Sequence, residues 1–231
     1  MKIQGLQKMT LLDYPGRVAC TVFLGGCDFR CPFCHNFDLV VGPMPTLVDD
    51  DEFFAFLDKR HGLLDGVAIT GGEPCLRKDL PDFIGRIRAE GFDVKLDTNG
   101  YHPRMLERLL GEGLVNYVAM DVKNAPGKYA LTAGLPAVDL ESIGESIRLL
   151  MNGGVDYEFR TTVVRELHDA ADFEEIGTWI AGADRYFLQP FETRDAVPDR
   201  SLSAPDPDSM LEYREIAARF VACAKIRGID I

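Results

Sequence analysis

Residues 66–100 read GVAITGGEPCLRKDLPDFIGRIRAEGFDVKLDTNG. The run at 66–70 (GVAIT) is short, apolar and closed by two glycines, the pattern of a buried strand. Over 79–90, Leu80, Phe83, Ile84 and Ile87 recur at helical spacing. Pro81 falls in the first turn, where its missing N–H costs nothing. Residues 92–96 return to a strand pattern and deliver Asp97-Thr98-Asn99-Gly100. Strand, helix and strand in so short a span form a βαβ unit, with parallel strands and a right-handed crossover.

The same alternation extends in both directions. Upstream, 17–24 (RVACTVFL) is a β-rich run ending at Gly25-Gly26, and 49–59 carries Phe53, Phe54 and Leu57 at helical spacing. Downstream, the pattern predicts a helix at 103–110, a strand at 115–122 and a helix at 140–152 stopped by Gly153-Gly154. A strand at 155–164, a helix at 171–181, a strand at 185–189 and a long final helix at 208–225 follow. Six strands alternating with helices imply a mostly parallel sheet with outer helices. That is short of the eight strands of a closed barrel. The expected fold is therefore α/β, an open partial (β/α)6 barrel, with 1–231 as a single domain. Three proline-bearing stretches, 42–46, 124–138 and 198–207, read as connections, and the second is long enough to be a functional loop.

The 231 residues carry 25 Lys+Arg against 37 Asp+Glu, a net charge of −12, and 46% are apolar. That apolar share supports a core and argues against disorder. The acidic balance weighs against direct nucleic-acid binding, which needs clustered cations, and against an anionic membrane surface. No apolar run approaches the ~18 residues of a membrane-spanning helix, and Met1-Lys2-Ile3-Gln4-Gly5 lacks a signal peptide's apolar region. The expected compartment is the cytoplasm, where clustered cysteines point to metal or redox chemistry rather than disulfides.

Of six cysteines, three fall in Cys27-Asp28-Phe29-Arg30-Cys31-Pro32-Phe33-Cys34, a C-x3-C-x2-C spacing. Soft thiolates so close together select zinc or an iron–sulfur cluster. With His35 as a fourth ligand, structural zinc is one reading. Three thiolates alone suit a [4Fe–4S] cluster with one iron left for a non-protein ligand. The loop, at 25–36, follows the first expected strand, at the carboxyl rim where α/β sites are built. Thr70-Gly71-Gly72-Glu73-Pro74 ends the next strand; its glycines permit close backbone approach to a ligand and Glu73 offers an acceptor. Cys20, Cys75 and Cys223 are scattered and read as packing residues, Cys223 on the apolar face of the last helix. No second close set remains for an auxiliary cluster.

The 27–34 loop together with Gly71-Gly72-Glu73-Pro74 resembles the radical S-adenosylmethionine (SAM) superfamily. The resemblance implies that Cys27, Cys31 and Cys34 ligate a [4Fe–4S] cluster, that SAM chelates the fourth iron, and that Gly71, Gly72 and Glu73 bind its amino group. One-electron reduction would then cleave SAM to methionine and a 5′-deoxyadenosyl radical. Cys34-His35-Asn36 resembles the glycyl-radical-enzyme activating proteins. Residues 5–16 (GLQKMTLLDYPG) and 157–163 (YEFRTTV), Met120-Asp121-Val122-Lys123 with Tyr129 beyond it, and Leu188-Gln189-Pro190-Phe191 are similar to the activating protein of anaerobic ribonucleoside-triphosphate reductase. The implied partners are a glycyl-radical enzyme as protein substrate, anaerobic ribonucleotide reductase foremost, and a flavodoxin- or ferredoxin-type electron donor.

By the same resemblance Asp97, Thr98 and Asp121 would surround a monovalent cation and Lys123 would contact SAM. Arg160 would bind the SAM carboxylate. Gln189 would reach adenosine or the incoming peptide, and Phe33 would pack on adenine or shield the cluster. Each has a plainer reading: Asp97 as a turn cap, Lys123 as a solvated strand-end charge, Arg160 as a surface residue paired with Glu158. His35 reads as a local hydrogen-bonding residue, and Phe191-Glu192 stands where a ribose contact would be expected. The competing functions are a small-molecule radical SAM enzyme of the 7-carboxy-7-deazaguanine synthase kind and a non-catalytic iron–sulfur or zinc protein.

Overall fold

The computed structural model describes residues 1–42 and 45–228. It contains all six expected strands and adds one at each end. The expected six are β2 (Ala19–Leu24), β3 (Gly66–Gly71), β4 (Asp93–Thr98), β5 (Tyr117–Asp121), β6 (Asp156–Val163) and β7 (Tyr186–Pro190). Ahead of them β1 (Gly5–Thr10) pairs antiparallel with β2, and after them β8 (Ala224–Ile226) pairs parallel with β7. Strands stand in the sheet in chain order, and β2 to β8 are parallel. Among the described residues no ladder joins β8 back to β1, so the barrel is open. The connections carry α1 (Phe37–Val41), α2 (Asp50–Asp58), α3 (Leu80–Ala89), α4 (Pro103–Gly111), α5 (Tyr129–Ala133), α6 (Leu140–Asn152), α7 (Ala170–Trp179) and α8 (Pro207–Ala217).

The final helix is shorter than its periodicity predicts. It ends at Ala217, and the chain turns and re-enters the sheet as β8. The free edge of β7 offers ladder partners that a helix would forgo: Tyr186 N–H donates to Cys223 O at 2.9 Å and Arg227 N–H to Leu188 O at 3.0 Å. Cys223 therefore lies half-buried at the entry to β8, not on a helix. The 124–138 stretch is not a bare loop, since it contains α5. Part of the expected 42–46 connection, residues 43–44, lies outside the described residues.

Period-two alternation gives the sheet two unlike faces. Val22, Val67, Ile69, Val94, Leu96, Val118, Phe159 and Leu188 are fully buried in the main apolar core. The intervening residues turn to the other face and include Ala19, Ala68, Lys95, Asp97, Tyr117, Ala119, Glu158 and Arg160. That face is concave. Tyr14, in the β1–β2 loop, has its ring centroid 6.1 Å from that of Tyr117, although two strands separate β2 from β5. Tyr14 also lies over Gly66, where a Cβ would come within 2.9 Å of its ring. The two tyrosines thus fill the amino-terminal end of the concave space.

Glu158 is buried on the concave face. The Tyr117 hydroxyl donates to it at 2.6 Å, and Arg227 clamps it through two contacts of 2.8 and 2.9 Å. Burial would raise the Glu158 carboxyl, but Arg227 and Tyr117 hold it below the usual range. This bidentate pair ties the residue after β8 back to β6. We expect Arg227→Met to cost about 3 kcal/mol in urea denaturation, because it leaves a buried carboxylate without its cation. The double variant Arg227→Met/Glu158→Gln should recover part of that loss.

Candidate functional site

The carboxyl ends of the parallel strands open on a cavity of about 230 Å³. Cys27, Cys31, Cys34 and Phe33 of the loop after β2 line it, with Gly71 and Gly72 from the β3 exit. Asp97 and Thr98 enter from β4, Asp121 and Lys123 from β5, Arg160 from β6 and Gln189 from β7. Of the thirteen site residues expected from sequence, all but Glu73 therefore face one space.

The glycines belong to the backbone of the site. Gly72 N–H donates to Leu24 O at 2.8 Å and Glu73 N–H to Gly26 O at 2.7 Å, which knits the β3 exit to the β2 exit. A Cβ on Gly72 would fall 1.9 Å from Gly26 O, and one on Gly71, at φ +118°, 2.4 Å from Leu24 O. Close approach of two backbones thus demands both glycines. Asn36 donates to Gly71 O at 3.1 Å and braces the same turn.

Glu73 departs from its expected role. Its carboxylate is buried and turned away from the cavity. It accepts from Cys75 N–H (2.9 Å), Thr98 Oγ1 (2.8 Å) and Asn99 N–H (2.6 Å). These contacts satisfy both oxygens, so Glu73 fastens the β3 exit to the β4 exit. Burial pushes its carboxyl up despite those donors. Asn99, positioned by Glu73, aims its side-chain amide at Cys27 Sγ, 3.8 Å away.

The cysteine loop is held from outside as well. Arg30 N–H donates to Ala133 O at 2.8 Å, and its guanidinium donates to Cys27 O at 2.6 Å. Gly134 packs so close that a Cβ would lie 2.0 Å from Arg30 O. Asp199 N–H donates to Pro32 O at 3.1 Å. The 124–138 and 198–207 connections thus both buttress the loop. Burial pushes the Cys27 thiol up to about 12 and the Cys31 thiol to about 11, and raises Cys34. Thiolates here need a metal group to compensate their charge. Among the described residues no three His, Cys, Asp or Glu side chains converge on a single-ion site. Three thiols spread around one cavity fit a polynuclear cluster, and His35, hydrogen-bonded to Glu192 O at 2.7 Å and stacked on Phe191, is otherwise engaged.

Below the thiols runs a chain of alternating charges. Lys95 Nζ lies 2.5 Å from Asp97, Arg160 lies 3.5 Å from Asp97 and 3.0 Å from Asp121, and Lys123 lies 2.9 Å from Asp121. Arg160 therefore points inward and is not the surface partner of Glu158. Burial would raise both carboxyls. Arg160 and Lys95 overcome this at Asp97, and Lys123 and Arg160 bring Asp121 from an ordinary 3.8 to about 2. The same pairs raise Lys123 and Arg160, against the opposing effect of burial, so both stay charged. The expected monovalent cation would compete here with side-chain cations, which already contact Asp97 Oδ1 and both Asp121 oxygens, while the Thr98 hydroxyl donates to Glu73. Phe33 is buried, with Lys123 Nζ 5.9 Å from its ring centroid.

Sequence reasoning missed three contributors. Lys95 hides in an ordinary strand pattern, and its alternation with Asp97 was the available signal. The bond from Asn99 to Cys27 and the 2.6 Å contact between His102 and Asp28 join residues far apart in the chain. Nothing local announces them.

A parallel α/β sheet with a thiol-rich, cation-lined cavity at its strand ends defines an enzyme fold built around a cysteine-held group. The radical SAM superfamily model matches residues 21–199, and the chain belongs to that superfamily. Its members use a [4Fe–4S] cluster and SAM. A Methanocaldococcus jannaschii protein named "Putative glycyl-radical enzyme activating enzyme" is 33% identical, the match covering 99% of this chain and 96% of that one. The pyruvate formate-lyase-activating enzyme of Clostridium pasteurianum is 26% identical over 74% of this chain and 72% of its own. Streptococcus suis SuiB shares the fold, with a TM-score of 0.68 at 14% identity over 89% of this chain and 48% of that one. No helix among the described residues is long and apolar enough to cross a membrane.

Two outcomes follow from this geometry. Because Asp121 has a depressed carboxyl pKa in the folded state, its stabilisation is complete above about pH 4 and fades as pH falls toward 2. Cluster-free protein should lose roughly 2 kcal/mol across that window, a loss that Asp121→Asn should lack. Gly72→Ala should cost about 2 kcal/mol of stability and lower the iron bound per chain after reconstitution, as the β2 and β3 exits are forced apart.

Proposed function

We propose that this chain cleaves SAM reductively and installs a glycyl radical on a partner enzyme, an anaerobic ribonucleotide reductase. One observation carries the reading: three thiols, two glycine backbones, the carboxylates of Asp97 and Asp121 and the cations of Lys123 and Arg160 face a single cavity. The names of the relatives supply the substrate class. In this reading Cys27, Cys31 and Cys34 hold the cluster. The cluster and SAM together supply a carbon radical that abstracts hydrogen.

The chain's own residues bind and orient. Arg160 and Lys123 offer charged N–H donors to the SAM carboxylate. Carbonyls at the Gly71-Gly72 turn accept from its ammonium. Phe33 covers the site and limits water. Gln189 and the neighbouring Thr162, both lining the cavity, offer an amide and a hydroxyl to the adenosine or the incoming peptide. At the far end Tyr14 and Tyr117 fill the concave space, so entry is from the carboxyl rim and the open side between β1 and β8. A glycine loop suits that route, because with no side chain its backbone reaches deep. The electron comes from a flavodoxin- or ferredoxin-type donor.

The test is anaerobic. Reconstituted protein with dithionite and SAM should release 5′-deoxyadenosine, and mixing with the reductase should give a glycyl-radical doublet by EPR. Cys31→Ala should abolish both signals. SAM cleavage without a doublet on the reductase would redirect the search to another substrate, and no cleavage by a fully loaded cluster would sink the enzyme reading.

A further inference from the structure

Lys95 is a buried charge that the mechanism above does not use. It lies mid-strand in β4 with a side chain 3% exposed. Register sets it between Ala68 of β3 and Tyr117 of β5, and places Asp97 beside Ala119. Small residues at 68 and 119 leave the concave face room for a long side chain. That side chain ends with its ammonium 2.5 Å from Asp97 Oδ1. A lysine so buried persists only with its carboxylate.

Charge arithmetic gives this placement a consequence. Asp97 and Asp121 contribute two negative charges, and Lys95, Arg160 and Lys123 contribute three positive ones. The set carries one excess positive charge before any ligand arrives, which matches a single anionic carboxylate. Without Lys95 the set would be neutral. The SAM carboxylate would then meet a set with no excess positive charge, and a small cation beside Asp97 would be favoured. With Lys95 present, a further cation meets three like charges. Most of its candidate oxygens are also engaged, since Asp97 Oδ1 faces Lys95 and Arg160, the two Asp121 oxygens face Arg160 and Lys123, and Thr98 Oγ1 donates to Glu73.

We propose that Lys95 is a built-in cation of this site, a positioning residue that makes SAM binding independent of exogenous Na⁺ or K⁺. The inference about SAM rests on the proposed function, but the cation preference belongs to the protein itself and can be read without cluster or SAM.

The experiment has two arms, each comparing NaCl, KCl and tetramethylammonium chloride at equal ionic strength. In the first, cluster-free protein is melted. The wild-type melting temperature should be the same in all three salts, whereas Lys95→Met should be raised by Na⁺ or K⁺ relative to tetramethylammonium. Lys95→Arg, which keeps the charge, should return to indifference. In the second, SAM affinity of the reconstituted protein is measured from the change in the cluster EPR signal. Wild type should vary less than twofold among salts, and Lys95→Met should bind at least threefold more tightly in the preferred alkali cation. A wild-type melting temperature or SAM affinity that depends on Na⁺ or K⁺ overturns the proposal, as does a folded Lys95→Met protein indifferent to both. If Lys95→Met does not fold, the wild-type comparisons decide. Failure of the protein to bind SAM in any salt would count against the proposed function, and the melting arm would still judge Lys95.

Discussion

A parallel sheet with a charged face must find every one of those charges a partner, because both of its faces are ordinarily covered and dry. Here the constraint is met by a run from Lys95 through Asp97, Arg160 and Asp121 to Lys123, spread over three adjacent strands and the β5 exit. Each carboxylate lies between two cations. The arrangement works only if the sheet curls enough to bring β4, β5 and β6 side chains into one space. Curvature and charge pairing therefore depend on each other. The clamp of Arg227 on Glu158 repeats the logic nearer the amino end, where it also fastens the last strand.

Above the charges, the thiol loop has little regular structure of its own and is positioned by its neighbours. The β3 exit approaches the β2 exit so closely that only glycine fits at 71 and 72. Glu73 then anchors the β4 exit, and through Asn99 reaches back to Cys27. From the other side the α5 segment and the 198–207 connection hold Arg30 and Pro32 by backbone bonds. Three strand exits and two outer connections thus fix three cysteines, as expected of a site whose geometry must be held by packed support.

Much of this was legible from the chain alone. Periodicity located all six central strands, since buried parallel strands leave continuous apolar runs. The cysteine spacing and GGEP segment marked the rim because chemistry restricts which residues can stand there. The misreadings have physical causes. The 208–225 run has helical periodicity throughout, but the free edge of β7 outbids the helix for its last residues. β1 has weak alternation, and pairing with β2 makes it a strand. Glu73 stands in a ligand motif yet faces inward, because its burial among three donors is set by strands distant in sequence.

The sequence by itself determined the alternating α/β plan, the cysteine loop and the acidic and basic residues available to the site. These are local matters of spacing, propensity and residue type. The tertiary structure alone decided which charges meet. Arg160 could have paired with Glu158 two residues away, but the inward curl sets it between Asp97 and Asp121 and gives Glu158 to Arg227. It likewise turned Lys95 from an unremarked strand residue into the fifth charge of the set. Partners across a curved sheet are chosen by distance in space, and no local pattern encodes that distance.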